Sequence, residues 1–177
     1  YTITMVADRI SECNTVIGLA EYLDISKEEA TEYLTNFIEF VVNQGWDNLI
    51  SKGTKPILPN QNGKFTSKEK IFLDNEMDET LKKIVYIAGY DIKEELLMRE
   101  IYLELPENRQ KTNKDIASYI TDFVQNNRNT KETEIRNAFR MLLLWIKDNQ
   151  NEAEKILPIL YAIKHYLYDE DDIADYI

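Results

Sequence analysis

The chain has 177 residues, of which 44% are hydrophobic, so it is long and apolar enough to fold around a core and is not a disordered polymer. Lysine and arginine number 21 against 32 aspartates and glutamates, which gives a net charge of -11. This sign of charge repels phosphate backbones and anionic membrane surfaces, so neither nucleic acid nor a membrane is expected as a partner.

Cysteine usage and hydropathy indicate the compartment. The only cysteine, Cys13, has no partner for an internal disulfide and has apolar residues near it at helical spacing, which is typical of a buried thiol in a reducing compartment. No apolar run approaches the roughly 20 residues of a membrane helix, and the first residues lack the charged and apolar regions of a signal peptide. We therefore expect a cytoplasmic protein.

The first residues alternate in polarity. Tyr1, Ile3 and Met5 alternate with threonines, and this period predicts a half-buried strand over residues 1–6. Because the chain opens at Tyr1 without an initiator methionine or a leader, we also expect a segment excised from a larger protein. From Asp8 to Leu23 apolar residues recur at helical spacing and predict one helix, on Ile10, Cys13, Val16, Ile17, Ala20 and Leu23.

The next predicted helix has the clearest boundaries. Ser26 followed by Glu29 is a capping box, and Gly45 is a natural stop. Tyr33 and Phe40 widen its apolar stripe, so we expect a core helix covered by more than one neighbour. The stripe itself consists of Ala30, Leu34, Phe37, Ile38 and Val41.

Prolines and glycines interrupt the helical period between Trp46 and Asp74. The pair Asn62-Gly63 favours a tight turn, and Pro59 confines a preceding strand to an edge or a short run. We predict a small hairpin whose second arm is either Lys64 to Phe65 or the later segment 71–73.

Helical spacing resumes after Asn75. One predicted helix contains Leu81, Ile84, Val85 and Ala88 and ends at Gly89, and a short helix is predicted around Ile92 to Met98. Further along the chain three helices are predicted. The first has a cap at Thr112 and Asp115, and the second is the most buried and includes Met141, Leu143, Leu144 and Trp145. The third spans Glu152 to Leu167 with Pro158 inside it, so it either starts near Ile156 or kinks.

These patterns predict a mainly α, bundle-like domain of about six or seven helices with a small β-hairpin, which is α+β by strict count. We expect a single domain over residues 1–177. The alternative is a subdivision into a helical and hairpin part over 1–75 and a helical part over 76–177.

Few residues could carry chemistry. His165 is the only histidine, so together with Cys13 it is insufficient for an ordinary zinc site, and its apolar helical neighbours favour a half-covered interfacial histidine over a catalytic one. The five glycines are scattered and none belongs to a phosphate-binding motif. We expect no catalytic residue, metal or cofactor in this domain.

Two groups near the C-terminus suggest binding functions. The acids of 169–172 are typical of a solvated tail, but they are also the basis of an alternative, an accessory hydrolase or nuclease-like module that uses clustered carboxylates and a divalent metal. Because tyrosine is enriched at interfaces, a protein-binding surface is the other candidate, on Tyr161, Tyr166 and Tyr168.

The sharpest motif is Pro59-Asn60-Gln61-Asn62-Gly63-Lys64-Phe65, with Trp46 upstream. Together with 71–74 and 81–84 it resembles a segment of sacsin-like proteins, including bacterial ones, which carry a GHKL-type ATPase domain near the N-terminus. In that group a Pro-Asn-Gln-x-Gly-x-Phe stretch follows a Trp-containing helix. Physically the motif favours turn chemistry over a ligand site, because the amides bond nearby backbone groups and Gly63 permits a tight reversal.

The resemblance implies that this chain lies downstream of the ATPase domain, and no catalytic residue of the family is carried over. We therefore expect a non-catalytic protein-interaction or transducing domain of a large ATPase-containing protein, chaperone-like or defence-related. Its partner would be another protein or the parent's own ATPase region. A helical nucleic-acid reader is disfavoured by the charge.

Overall fold

The computed structural model describes residues 2–51, 55–126 and 132–156, and within these ranges the chain forms seven α-helices and four short strands. The prediction of a mainly α fold with a small β-hairpin is confirmed. The helices are α1 Ile3–Glu12, α2 Val16–Leu23, α3 Lys27–Asn43, α4 Glu79–Ile87, α5 Asn113–Asn126, α6 Glu132–Asp148 and α7 Gln150–Ile156. The strands are β1 Leu58–Pro59, β2 Phe65–Thr66, β3 Leu73–Asp74 and β4 Gln110–Lys111.

The chain divides into two compact units. The first unit consists of Tyr1–Asp74 and Lys93–Gln110, and the second of Asn75–Ile92 and the chain from Lys111 onward. The first unit is therefore discontinuous in sequence, because residues 93–110 return to it after residues 75–92 have entered the second unit. None of the described helices combines the length and the apolar composition needed to span a bilayer.

The strand predicted over residues 1–6 is wrong, because α1 begins at Ile3. The side chain of Thr2 caps the helix by accepting a hydrogen bond from the backbone N–H of Met5 at 3.3 Å. Ile3, Val6 and Ile10 pack on the core at helical spacing. The polarity of the first five residues fits both the two-residue period of a strand and the 3.6-residue period of a helix. The apolar stripe that continues to Ile10 has only the helical period, so it favours the helix.

The single helix predicted from Asp8 to Leu23 is also wrong, because the chain breaks between α1 and α2. Asn14 has a positive φ of 63°, and Thr15 caps α2 by accepting from the N–H of Gly18 at 2.9 Å. The backbone at the break bonds to the hairpin, since Val16 N–H donates to the carbonyl of Gly63 at 2.8 Å. At the break, the hydrogen bonds that would continue an α-helix are therefore replaced by hydrogen bonds to a segment distant in sequence.

Helix α3 begins and ends as predicted. The Ser26 hydroxyl accepts from the N–H of Glu29 at 3.2 Å, and the Glu29 carboxylate accepts from the N–H of Ser26 at 2.9 Å, so the capping box is confirmed. At the other end Gly45 has a φ of +69° and Trp46 N–H donates to the carbonyl of Val41 at 3.0 Å, which closes the last turn. The buried residues of this helix are the five predicted ones.

The hairpin is present, with β1 and β2 antiparallel and Pro59 opposite Phe65, so the first of the two predicted second arms is the correct one. The short helix predicted around Ile92 to Met98 is wrong. Only a 3-10 turn forms at Ile92–Glu94, and the following residues are extended because their backbone groups bond neighbouring segments. Phe72 N–H donates to the Glu95 carbonyl at 2.8 Å, and Met98 N–H donates to the Pro59 carbonyl at 2.9 Å.

The returning segment 93–110 completes the core of the first unit. Leu97, Ile101 and Leu103 are buried with the helices α1, α2 and α3. At its end Arg109 Nη2 donates to the carbonyl oxygens of Lys68 and Ile71, and its guanidinium lies 4.3 Å from the centre of the Phe72 ring. The loop before β3 is thus held by a residue about forty positions later.

In the second unit α4 and α7 each pack against α5 and α6. The predicted cap of α5 is confirmed, because Thr112 N–H donates to the Asp115 carboxylate at 2.7 Å and the Thr112 hydroxyl accepts from Lys114 N–H at 3.3 Å.

The prediction that the helix containing Trp145 is the most buried is wrong. Leu144 is 53% exposed, so α6 is amphipathic, with Ala138, Phe139, Leu142 and Trp145 buried. Of the last predicted helix, α7 is described and Pro158 lies outside the described residues.

Gly18 gives a first prediction. A Cβ at this position in α2 would lie 2.3 Å from the backbone oxygen of Cys13, so alanine requires the break between α1 and α2 to shift. We expect Gly18→Ala to lower the free energy of unfolding by about 1–2 kcal/mol, although alanine is the better helix former by about 1 kcal/mol. Urea unfolding followed by circular dichroism measures this. Glu21→Ala, at an exposed position of the same helix, is the control, and an unchanged midpoint for Gly18→Ala would contradict the argument.

The capping box gives a pH prediction. Backbone and side-chain hydrogen bonds from Ser26 lower the pKa of Glu29 below its ordinary value of 4.5. A lowered folded-state pKa means that the ionised carboxylate adds stability above the unfolded-state pKa, and that this stability is lost as the pH falls through the folded-state pKa. We therefore expect the destabilisation caused by Glu29→Gln at pH 7 to shrink below about pH 4.5. Urea titrations at both ends of this range, with Glu28→Gln as the control, test it.

Candidate functional site

The Asn60-Gln61-Asn62-Gly63 turn joins β1 to β2, and the Asn60 amide organises it. Asn60 is 4% exposed, and its Oδ1 accepts from the backbone N–H groups of Asn62 and Lys64, each at 3.0 Å. Its Nδ2 donates to the carbonyl of Glu94 at 2.9 Å. A buried amide whose oxygen and nitrogen both bond to backbone is expected to fix the conformation of the chain.

The neighbouring Gln61 extends this network to charged groups. Its backbone N–H donates to the carbonyl of Leu96 at 2.8 Å, and its Nε2 donates to the Asp74 carboxylate at 2.7 Å. The same carboxylate oxygen accepts from Arg99 Nε at 2.9 Å, although the Asp74 side chain is only 2% exposed. The sequence motif identified Gln61, but Asp74 and Arg99 are distant in sequence and carry no signal of this contact.

The remaining residues of the motif complete the turn. Gly63 has a φ of +79°, which an L side chain rarely adopts, and its N–H donates to the carbonyl of Asn60 at 2.8 Å. Pro59 is buried opposite the half-buried Phe65. The geometry of the segment is therefore that of a backbone reversal anchored on both sides.

Trp46, the remaining residue of the motif, lies outside the turn. It follows the end of α3 and is 36% exposed. Its ring meets the Phe40 ring edge to face, with the centroids 5.6 Å apart. Phe40 is itself 46% exposed, and Tyr33, two helical turns earlier on the same face, is 41% exposed. We call these three residues the aromatic edge of α3.

The aromatic edge corrects an expectation from the sequence. Tyr33 and Phe40 were predicted to be covered by a second neighbour, but each is exposed beside a buried residue, Leu34 and Val41 respectively. They lie at the border of the buried arc of the helix, where the angular position alone does not decide exposure. A widened apolar stripe was the only available signal, and it fits a core helix and a binding helix equally.

The second unit contains a polar cluster of another type. Lys111 is buried and its Nζ donates to the Tyr119 hydroxyl, and the Tyr119 ring stacks on Tyr90 with centroids 4.4 Å apart. On α4 the Lys82 side chain is fully buried and its Nζ lies 2.8 Å from the Glu79 carboxylate. Because both charges are enclosed, they are packing elements and not a phosphate-binding surface.

Several predicted positions lie outside the described residues. These are the proposed tyrosine surface, the single histidine and the acidic run of the alternative hydrolase hypothesis, that is Tyr161, Tyr166, Tyr168, His165 and 169–172. In the described ranges, no group of three or more histidine, cysteine, aspartate or glutamate side chains is arranged to hold a metal ion. Burial raises the pKa of the Cys13 thiol, and Glu12 nearby raises it further, so this thiol is not activated as a nucleophile.

Comparison with known proteins adds no identification. No family model matches the chain, and neither a curated protein nor a solved structure matches it.

The turn gives a stability prediction. We expect Asn60→Ala to lower the free energy of unfolding by about 3 kcal/mol, because it leaves the N–H groups of Asn62 and Lys64 and the carbonyl of Glu94 without their partner. Asn48→Ala, at an exposed position, is the matched control and should change it by less than about 0.5 kcal/mol. Chemical denaturation compares the two. Equal effects would show that the Asn60 bonds add nothing to stability.

Proposed function

We propose that this chain is a non-catalytic protein-interaction or transducing domain of a larger ATPase-containing protein, and that it contacts its partner through the aromatic edge of α3. The observation that carries the proposal is the exposure of Tyr33 and Phe40 on one side of α3, together with Trp46, which follows the helix and contacts Phe40. Large aromatic side chains supply most of the binding energy at many protein interfaces. Left in water, they offer apolar surface that a partner can bury.

The helix that carries the edge is fixed in place. Its opposite side is in the core, where Leu34, Ile38 and Val41 are fully buried, and both ends are capped. Phe40 and Trp46 also brace each other through their edge-to-face contact. An anchor held in one conformation before binding loses little entropy on binding, which favours a recognition role.

The wider context of the proposal comes from the resemblance to sacsin-like proteins. In that context the partner is another protein or the parent's own ATPase region, and the domain communicates nucleotide state to its partner in a chaperone-like or defence-related system. Trp46 belongs both to the motif that carries the resemblance and to the aromatic edge. That coincidence supports a recognition role for this end of α3.

A binding experiment tests the proposed function. The full chain and its Phe40→Ser, Trp46→Ser double variant are used as bait for the separately expressed ATPase region of the parent and for proteins of the source cell. We expect the double variant to retain at most about one tenth of the partner recovered by the unaltered chain, since two anchors are removed. Quantitative mass spectrometry of the recovered proteins is the readout.

The matched control removes two aromatic side chains from elsewhere. Tyr86 and Tyr102 are 63% and 77% exposed, and the Tyr86→Ser, Tyr102→Ser variant should bind like the unaltered chain. Circular dichroism shows that both double variants are folded. If the unaltered chain recovers neither the ATPase region nor any other protein, or if the two double variants recover equal amounts, the proposed function is wrong.

A further inference from the structure

The exposed side of α3 is organised in parallel rows. Glu32 and Glu39 each precede a residue of the aromatic edge by one position, so they lie about 100° around the helix axis from Tyr33 and Phe40. Asn36 and Asn43 lie between the two glutamates and the two aromatic residues around the helix axis. All of these side chains are exposed. An apolar row therefore runs beside an acidic row for at least two turns, about 10 Å.

Among the described residues, the acidic row has no basic partner. No lysine or arginine in the described part of the chain forms a salt bridge with Glu32 or Glu39. Helix α3 contains four glutamates and one lysine, Lys27, and the exposed acids Glu21 and Asp24 lie on and directly after α2, which packs against α3. The field along this side is consequently negative.

From this arrangement we propose that the occupant of the aromatic edge is a basic amphipathic helix of a partner protein. Its apolar side chains, spaced three, four and seven residues apart, pack on Tyr33, Phe40 and Trp46. Its lysines or arginines, on the adjoining side, face Glu32 and Glu39. This inference rests on the proposed function and names the chemistry of the partner.

Charge decides against the other occupants. A second copy of the chain would bring the acidic rows together, and each copy carries a net charge of -11. Nucleic acid and anionic membranes are repelled for the same reason. A purely apolar segment would fill the aromatic edge but leave the acidic row unmatched, so it would gain no electrostatic attraction.

The test uses three synthetic peptides of about 18 residues with the full chain. The first contains leucine and lysine in an amphipathic helical pattern, the second has the same composition in an order without an apolar face, and the third has glutamate in place of lysine. Isothermal titration calorimetry measures the Kd of each. We expect the first peptide to bind at least about tenfold more tightly than either of the others.

Charge variants locate the peptide. Glu32→Gln with Glu39→Gln should weaken binding of the first peptide about threefold to tenfold at low salt, and the loss should be smaller in about 0.5 M NaCl because salt screens exposed charges. Glu134→Gln with Glu154→Gln removes two exposed acids from the second unit and should leave the Kd unchanged. The Phe40→Ser, Trp46→Ser variant should weaken binding about tenfold.

The outcomes separate this inference from the proposed function. Equal binding of the first and second peptides, or equal effects of the two pairs of glutamate variants, would mean that binding is non-specific charge attraction and would overturn the inference. If the first peptide fails to bind while recovery of the natural partner still depends on Phe40 and Trp46, the proposed function stands and the partner's chemistry is wrong. A dimer in sedimentation equilibrium that Phe40→Ser dissociates would identify a second copy as the occupant.

Discussion

The β segments of the first unit depend on the hydrogen bonds of one buried side chain, the Asn60 amide. The strands β1 and β2 are two residues each, too short to persist without partners. Through Asn60 they are tied to the carbonyl of Glu94, and through Gly63 they are tied to Val16 at the start of α2. The break between the first two helices, the hairpin and the returning segment thus share one network of backbone bonds. A substitution at the turn is therefore expected to destabilise all three segments.

In the proposed function, helix α3 connects this framework to a partner because its two sides have different surroundings. One side is packed into the core, which fixes the helix, and the other presents the aromatic edge and the acidic row. The closing turn at Gly45 places Trp46 against Phe40 instead of letting the chain continue outward. The proposed recognition surface is therefore part of a rigid element, and the cost of ordering it is met when the protein folds.

The features predicted correctly from the sequence depend on residues within about one helical turn of each other. The features that were missed depend on contacts with residues far along the chain. The cap at Ser26 depends on residues within one turn, so it can be recognised from the sequence. Asn14 and the segment 92–98 depart from their apparent helical period because their backbone groups bond residues far along the chain. The exposure of Tyr33 and Phe40 is of the same kind, since hydrophobicity shows that a side chain can be buried but not whether a neighbour covers it.

The return of residues 93–110 to the first unit has a consequence for synthesis. A ribosome releases the chain in order, so α1, α2, α3 and the hairpin emerge well before Glu94 and Arg109. Until those residues leave the exit tunnel, Asn60 lacks its carbonyl partner and the loop at 68–72 lacks its guanidinium. At roughly 5–20 residues per second, the nascent first unit remains incomplete for several seconds, with its central apolar residues awaiting cover. The discontinuous order of the first unit therefore delays completion of its core until the end of segment 93–110 has been synthesised.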